Sequence, residues 1–238
     1  MAPGDSQNPI RQLQQQGVVL LRGHFPPDAL AGLAQAAARC FASIAAGREP
    51  PAHHRFNRFS HSILIAALAD FGCPAEALAA PLSAPALDPL FTAALGGPWT
   101  CRMDQSWARR KFCPAQVPDA RYHPQDWHQD GALGVLFPAQ PGPPVPMTPL
   151  LTCWIPLTPC GIDSPALEFI RRPQDTLLHF TQLADPDLRR RFPPEDFWAP
   201  ALESGDALVF LNGALHRTYA TPAMQSNRLS IEYRIFPR

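Results

Sequence analysis

His128 and Asp130 sit two residues apart in the stretch Trp127-His128-Gln129-Asp130-Gly131. In extended backbone, positions i and i+2 point to one side, so the imidazole and the carboxylate converge while Gln129 faces away. One imidazole and one carboxylate are half of a divalent-metal site; the other half needs a donor from a distant segment. His216, in Leu211-Asn212-Gly213-Ala214-Leu215-His216-Arg217-Thr218, supplies it. Two histidines and one carboxylate on one face of an octahedral ion leave open positions, as in non-haem Fe(II) sites, where a keto acid and then dioxygen can bind. Taken singly, His128 and Asp130 are an ordinary loop pair and His216 a core histidine. Their order along the chain is what favours the metal.

Such a site needs a rigid frame, and the sequence divides into two kinds of segment. Gly17-Val18-Val19-Leu20-Leu21-Arg22 reads as a buried strand, and Pro26-Pro27-Asp28 then opens a helix whose apolar positions Leu30, Leu33, Ala37, Phe41 and Ile44 recur at helical spacing. Residues 48–60 read as irregular, and 62–70 and 85–95 as short helices. From Trp99 onward, short β-type runs punctuated by Pro and Gly cover 99–112, 150–157, 166–170, 206–211, 214–220 and 228–236, which predicts a sandwich or barrel. In the last run Leu229, Ile231, Tyr233 and Ile235 share one face, and Arg228, Ser230, Glu232 and Arg234 share the other. The apolar face is expected under the N-terminal helices and the polar face inside the barrel. The expected organisation is one domain over 1–238, mainly β with flanking α-helices: a helical side over about 1–95 and a β core over about 96–238.

Lys and Arg together number 20, as do Asp and Glu, so no global field recruits nucleic acid or an anionic membrane, and a small-molecule partner fits better. The start of the chain shows no basic region followed by an apolar run, and no apolar run is long enough to span a bilayer, which predicts a cytoplasmic protein, a monomer or homodimer. Six cysteines form no Cys-x-x-Cys pair and read as reduced, mostly buried residues.

At this point the residues resemble the phytanoyl-CoA dioxygenase-like branch of the Fe(II)/2-oxoglutarate-dependent oxygenases. The likeness rests on Trp127-His128-Gln129-Asp130-Gly131, Gly205-Asp206-Ala207-Leu208-Val209-Phe210, His216-Arg217-Thr218 and Asn227-Arg228-Leu229-Ser230-Ile231-Glu232-Tyr233-Arg234, and extends weakly to 17–46. It implies a double-stranded β-helix, or jelly-roll (cupin-like), core with His128, Asp130 and His216 as iron ligands. Arg228 matches the arginine that binds the distal carboxylate of 2-oxoglutarate, a role suited to a planar guanidinium fork. Thr218 joins it as a cosubstrate contact. The implied reaction consumes 2-oxoglutarate and O2, releases succinate and CO2, and hydroxylates a C–H bond of a small metabolite; desaturation, epimerisation and cyclisation are alternative outcomes, and a non-catalytic metal- and 2-oxoglutarate-binding protein is the rival. Halogenating members of the superfamily carry Gly or Ala where this chain has Asp130, so an oxygenase outcome is expected. Many relatives carry a Pro-Gly-Ser-His turn after the strand at 166–170, whereas this chain reads Arg171-Arg172-Pro173-Gln174-Asp175.

On the run 99–112, Cys101, Met103, Gln105, Trp107, Arg109 and Lys111 share a face, which makes Gln105, Arg109 and Lys111 candidate contacts for 2-oxoglutarate or substrate. Trp107, Trp127, Trp154 and Glu232 are candidates for the substrate pocket, although a tryptophan is more often simply core. Residues 138–149 hold six prolines and read as a loop, either a lid over the metal or a stiff surface connection. His53, His54 and His61 are expected at the surface.

Overall fold

The computed structural model describes residues 8–26, 28–117 and 126–238. The N-terminal stretch Met1–Gln7 and Pro27, on which two of the sequence readings touch, lie outside the described residues. The elements run in the order α1 (Pro9–Gln16), β1 (Val18–Leu21), α2 (Ala31–Ala45), β2 (His54–Asn57), β3 (Ser60–Leu64), α3 (Leu87–Leu95), β4 (Trp99–Cys101), β5 (Trp107–Lys111), β6 (Leu151–Pro156), β7 (Ala166–Ile170), α4 (Asp185–Arg191), β8 (Phe197–Trp198), β9 (Ala207–Leu211), β10 (Leu215–Tyr219) and β11 (Arg228–Pro237), with 3-10 turns between them.

Helix α1 starts where the Asn8 side chain accepts from the Ile10 N–H at 3.0 Å, with Pro9 pre-set in its first turn. It ends at Gly17, whose φ of +74° closes the helix through an N–H bond to the Leu13 carbonyl. The larger sheet is antiparallel in the order β1-β9-β6-β11-β5-β3-β2, with β4 pairing the end of β11. A smaller sheet runs β10-β7-β8.

Alternation along the strands of the larger sheet separates two cores. Val19, Cys153, Ile155, Val209, Ile231, Tyr233 and Ile235 point to the helical side, where they pack with Leu13 of α1, Leu33 and Phe41 of α2, and Leu90 and Phe91 of α3. Burial of each large side chain there contributes roughly 1.5–3 kcal/mol. The intervening residues Val18, Trp154, Leu208 and Phe210 face the smaller sheet and meet Leu167 and Phe169 of β7. The polar face of β11 therefore lies between the sheets, as its alternation predicts. This is the jelly-roll arrangement: mostly antiparallel sheet, with helices on one outer face. No helix among the described residues is long and apolar enough to cross a membrane.

Three sequence readings are corrected. Residues 54–64, read as an irregular segment running into a helix, form the β2–β3 hairpin that extends the larger sheet, and the helix read over 62–70 is a 3-10 turn over Ile65–Phe71. Ser62 and Ile63 alternate between the two faces in strand fashion, a signal too short to stand out. The continuous strand read over 99–112 is broken by a 3-10 turn at Met103–Gln105, which separates β4 from β5. The short helices α1 and α4 are additional to the sequence reading.

Candidate metal centre

His128 and His216 lie directly opposite each other. The His128 N–H donates to the His216 carbonyl at 3.0 Å, and the His216 N–H donates back at 3.1 Å, an isolated antiparallel bridge that extends the β10 edge. Their ring centroids are 4.2 Å apart. The Nδ1 of His128 faces the Asp126 carbonyl at 2.9 Å and that of His216 faces the Ala214 carbonyl at 3.0 Å. Each carbonyl fixes the proton on Nδ1 and leaves the Nε2 lone pair for a ligand. Gln129 is extended, and Asp130 opens a 3-10 turn, so the His-x-Asp stretch is not a regular strand, yet the two side chains still converge across one extended residue.

Both Nε2 atoms lie 3.9 Å from Asp130 Oδ1. One ligand atom from each of the three residues falls within 4.8 Å of the other two. Two imidazoles and a carboxylate converging from one side suit a first-row divalent metal such as Fe(II).

The surroundings prepare the carboxylate. Thr152 of β6 donates its hydroxyl to Asp130 Oδ2 at 2.6 Å, Arg234 of β11 donates Nη1 to the same oxygen, and Arg234 Nη2 donates to Oδ1 at 3.0 Å. Burial pushes the Asp130 carboxyl up, but Arg234, the two histidines and Thr152 outweigh it and hold the group well below the usual carboxylate range. Burial, followed by His216, holds the His128 imidazole down to about 4. The His128 imidazole and the Asp130 carboxylate are therefore in their ligating form at neutral pH.

Gln129, which separates two of the donors, is a staple. Its amide nitrogen donates to the carbonyls of Thr176 and Gly213, and its Oε1 accepts from the Leu178 N–H at 2.7 Å. Gly213 precedes the His216 strand, and a Cβ there would lie 2.0 Å from the Gln174 carbonyl oxygen, so no other residue fits. Gly131 is also closely packed, its N–H donating to the Asn212 carbonyl at 2.9 Å.

The donors open onto a cavity of about 250 Å³ between the sheets. Arg228 reaches it from β11, with its guanidinium 5.0 Å from the Trp154 ring centroid and Nη1 donating to the Ala166 carbonyl at 3.1 Å. Trp154, Thr218, Arg109 and Glu232 line it as well. Arg109 donates to Glu232 at 2.6 Å and to the Ser62 hydroxyl at 2.9 Å, and Glu232 also accepts from Arg234 at 3.2 Å. Lys111 is buried directly opposite Arg228 in the β5–β11 pairing; burial first, then Arg228 and Arg109, bring its ammonium down to about 7.

The other candidate residues fall elsewhere. Gln105 ends the 3-10 turn before β5 and is not in the cavity wall. Trp107 is not in the cavity wall itself; it lies beneath two wall residues, Arg55 and Arg109, with guanidinium-to-ring distances of 4.6 and 6.0 Å. Trp127 is core: it donates to Asp185 at 2.9 Å and packs under Arg217 and against Phe197. The proline-rich segment does not line the cavity. Its Thr148 is bonded to the Gly131 and Leu133 carbonyls, and Pro138 and Val145 are tied to His179 and Leu177. Arg234, Thr152, Gln129 and Arg55 are the site residues that the sequence reading left without a role. Arg234 was visible in phase with Arg228 and Glu232; the others carried no signal.

Residues 13–226 match the phytanoyl-CoA dioxygenase (PhyH) family, a stretch that contains all three donors. The chain belongs to the phytanoyl-CoA dioxygenase family. The family match stops just short of Arg228, whose place in the cavity rests on β11 itself. No curated protein matches the chain in sequence. Among solved structures, the fold is similar to that of EctD from S. alaskensis with 2-oxoglutarate and 5-hydroxyectoine, at 18% identity and TM-score 0.65, covering 96% of this chain and 74% of that one. It is also similar to the epimerase SnoN in complex with Fe3+, alpha ketoglutarate and nogalamycin RO, at 14% identity and TM-score 0.61, covering 96% and 82%. The alpha ketoglutarate-dependent carbocyclase SnoK from nogalamycin biosynthesis is a third such structure, at 17% identity and TM-score 0.61, covering 98% and 84%.

Proposed function

We propose that the chain is an Fe(II)- and 2-oxoglutarate-dependent dioxygenase that hydroxylates a C–H bond of a small-molecule metabolite. The observation that carries this reading is the convergence of His128 Nε2, Asp130 Oδ1 and His216 Nε2 at the wall of a cavity that also holds Arg228. Fe(II) with 2-oxoglutarate and O2 supplies an oxidant able to take a hydrogen from an unactivated carbon, with succinate and CO2 as co-products.

The residues of the chain position and protect. His128, Asp130 and His216 hold the metal from one side and leave the cavity side free. Arg228 binds the distal carboxylate of 2-oxoglutarate through paired charge-assisted bonds, against the Trp154 ring and beside Thr218. Lys111, next to Arg228, adds positive charge to that end when protonated. Asp130 Oδ2 accepts from both Arg234 and Thr152, while Oδ1, which accepts only Arg234 Nη2, is the oxygen that faces the two Nε2 atoms. The apolar walls, Leu167 and Phe210 among them, limit water at the reacting carbon.

Fold-level likeness to an epimerase and a carbocyclase keeps a second outcome in view, in which the substrate radical is resolved without oxygen insertion. The test is succinate formation from 2-oxoglutarate with added Fe(II) and candidate substrates, with mass analysis of the product. Succinate dependent on Fe(II) and lost in His216→Ala supports the reading, and one added oxygen in the product selects hydroxylation. Absence of succinate with every substrate, together with metal and 2-oxoglutarate binding, would favour the non-catalytic rival.

A further inference from the structure

Among the described residues, the cavity wall carries four arginines, Arg55, Arg109, Arg228 and Arg234, against two carboxylates, Asp130 and Glu232. Fe(II) and doubly ionised 2-oxoglutarate cancel each other's charge, so two positive charges remain in excess after both have bound. Most of the arginines have an assigned acid. Arg234 is committed to Asp130 and Glu232, Arg109 to Glu232, and Arg228 to the cosubstrate on the reading above. Arg55 has no carboxylate partner among the described residues.

The sheet register places Arg55 where it can act. Ser230 of β11 lies opposite Arg109 of β5, Arg109 opposite Ser62 of β3, and Ser62 opposite Arg55 of β2. Residues directly opposite on neighbouring strands share a face, so this row runs across the cavity side of the sheet to its edge. At strand spacings of roughly 5 Å, Arg55 stands about 10 Å from Arg109 along the sheet. Both guanidinium groups nevertheless turn to the same indole, that of Trp107, two residues before Arg109 on β5, at 4.6 and 6.0 Å from its centroid. Stacking on Trp107 holds Arg55 in place while leaving its hydrogen-bond donors unspent.

We infer that Arg55, supported by Trp107 and Arg109, is the anchor for an anionic group of the substrate, a carboxylate or a phosphate. This rests on the proposed function and deepens it: the substrate is a small acid, held by its charge at the sheet edge with its reacting carbon toward the metal. A cavity of about 250 Å³ lies below the range usual for drug-sized ligands and suits a compact molecule.

The test uses the protein loaded with Mn(II) and saturating 2-oxoglutarate, into which acetate, inorganic phosphate and, as a neutral control, acetamide are titrated calorimetrically. The expected result is one site for at least one of the two anions and none for acetamide, with affinity about tenfold or more weaker in R55Q and largely retained in R55K. Which anion binds more tightly assigns the chemical class. Anion binding no better than that of acetamide, or equal in wild type and R55Q while 2-oxoglutarate still binds both, overturns this inference alone. Failure of 2-oxoglutarate to bind the Mn(II)-loaded wild type removes the cosubstrate reading and this inference with it.

Discussion

Arg234 grips both oxygens of Asp130, Nη1 on Oδ2 and Nη2 on Oδ1 at 3.0 Å, with side-chain exposures of 13% and 6%. A buried carboxylate in a metal site thus has a cation to pair with before any metal arrives. Breaking such a pair by removing one partner typically costs about 3–5 kcal/mol, because a charge is left buried and alone. In Arg234→Met the metal-free protein should therefore lose that much stability, and bound metal should restore a large part of it by taking over the neutralising role. Thermal unfolding with Mn(II) and with chelator checks this. An equal loss under both conditions would show that Arg234 serves the fold and not the carboxylate.

The pH dependence of the metal-free protein has a defined sign. The His128 pKa in the folded state, about 4, lies below its ordinary value of 6.5, so the unfolded chain takes the proton first as pH falls. The contribution is complete above about 6.5 and lost as pH falls through about 4. His61, which burial and then Arg110 and His54 bring to about 4, adds to the same arm. Urea unfolding from pH 7.5 to pH 4 should show falling stability over this window, and His128→Asn and His61→Asn should each flatten part of it. Unchanged profiles in both variants would place the acid transition elsewhere.

Arg228→Leu should weaken 2-oxoglutarate binding by about tenfold or more, since a charge-assisted contact is worth roughly 1.5–3 kcal/mol. Lys111 gives a second readout. Its ammonium, brought down to about 7 by burial and then by the two arginines, is mostly neutral at pH 8.5 and should gain a proton when a dianion binds beside it. Calorimetry in buffers of different ionisation enthalpy should detect proton uptake with 2-oxoglutarate in wild type and none in Lys111→Met. Equal uptake in both would detach Lys111 from the cosubstrate.

The proline-rich segment divides in two. Thr148 is welded to the turn that carries Asp130, while 138–146 is tied among the described residues by His179 Nε2 to the Pro138 carbonyl at 3.0 Å and by the Leu177 N–H to the Val145 carbonyl at 3.3 Å. If 138–146 closes over bound substrate, His179→Ala should loosen it and raise succinate relative to oxidised product without altering metal affinity. An unchanged ratio would leave the segment a stiff surface connection.

Much of the frame was legible because its signals are periodic. The alternation from Arg228 to Ile235 correctly separated the helix-covered face from the cavity face, and the same strand carried the arginine whose partner could not be known: Arg234 meets Asp130 only because β11 and the 126–132 segment come together in space. Distance in sequence hid Thr152 and Gln129 in the same way. The hairpin that brings in Arg55 was missed for a different reason, since four- and five-residue strands around Asn57 give too few alternations to outweigh a polar, loop-like composition. Gln105 was misplaced because alternation was carried through a 3-10 turn that resets the face.

The central claim is that His128, Asp130 and His216 hold a metal that, with Arg228, binds 2-oxoglutarate. Its most direct test is equilibrium binding of 2-oxoglutarate to the protein with Mn(II) and with chelator, in wild type and in His128→Ala, Asp130→Ala and His216→Ala. One 2-oxoglutarate per chain, bound tightly only with metal and lost in each alanine variant that remains folded, is the predicted result. Binding that is indifferent to metal, or retained at full strength with one metal per chain in all three variants, would contradict it.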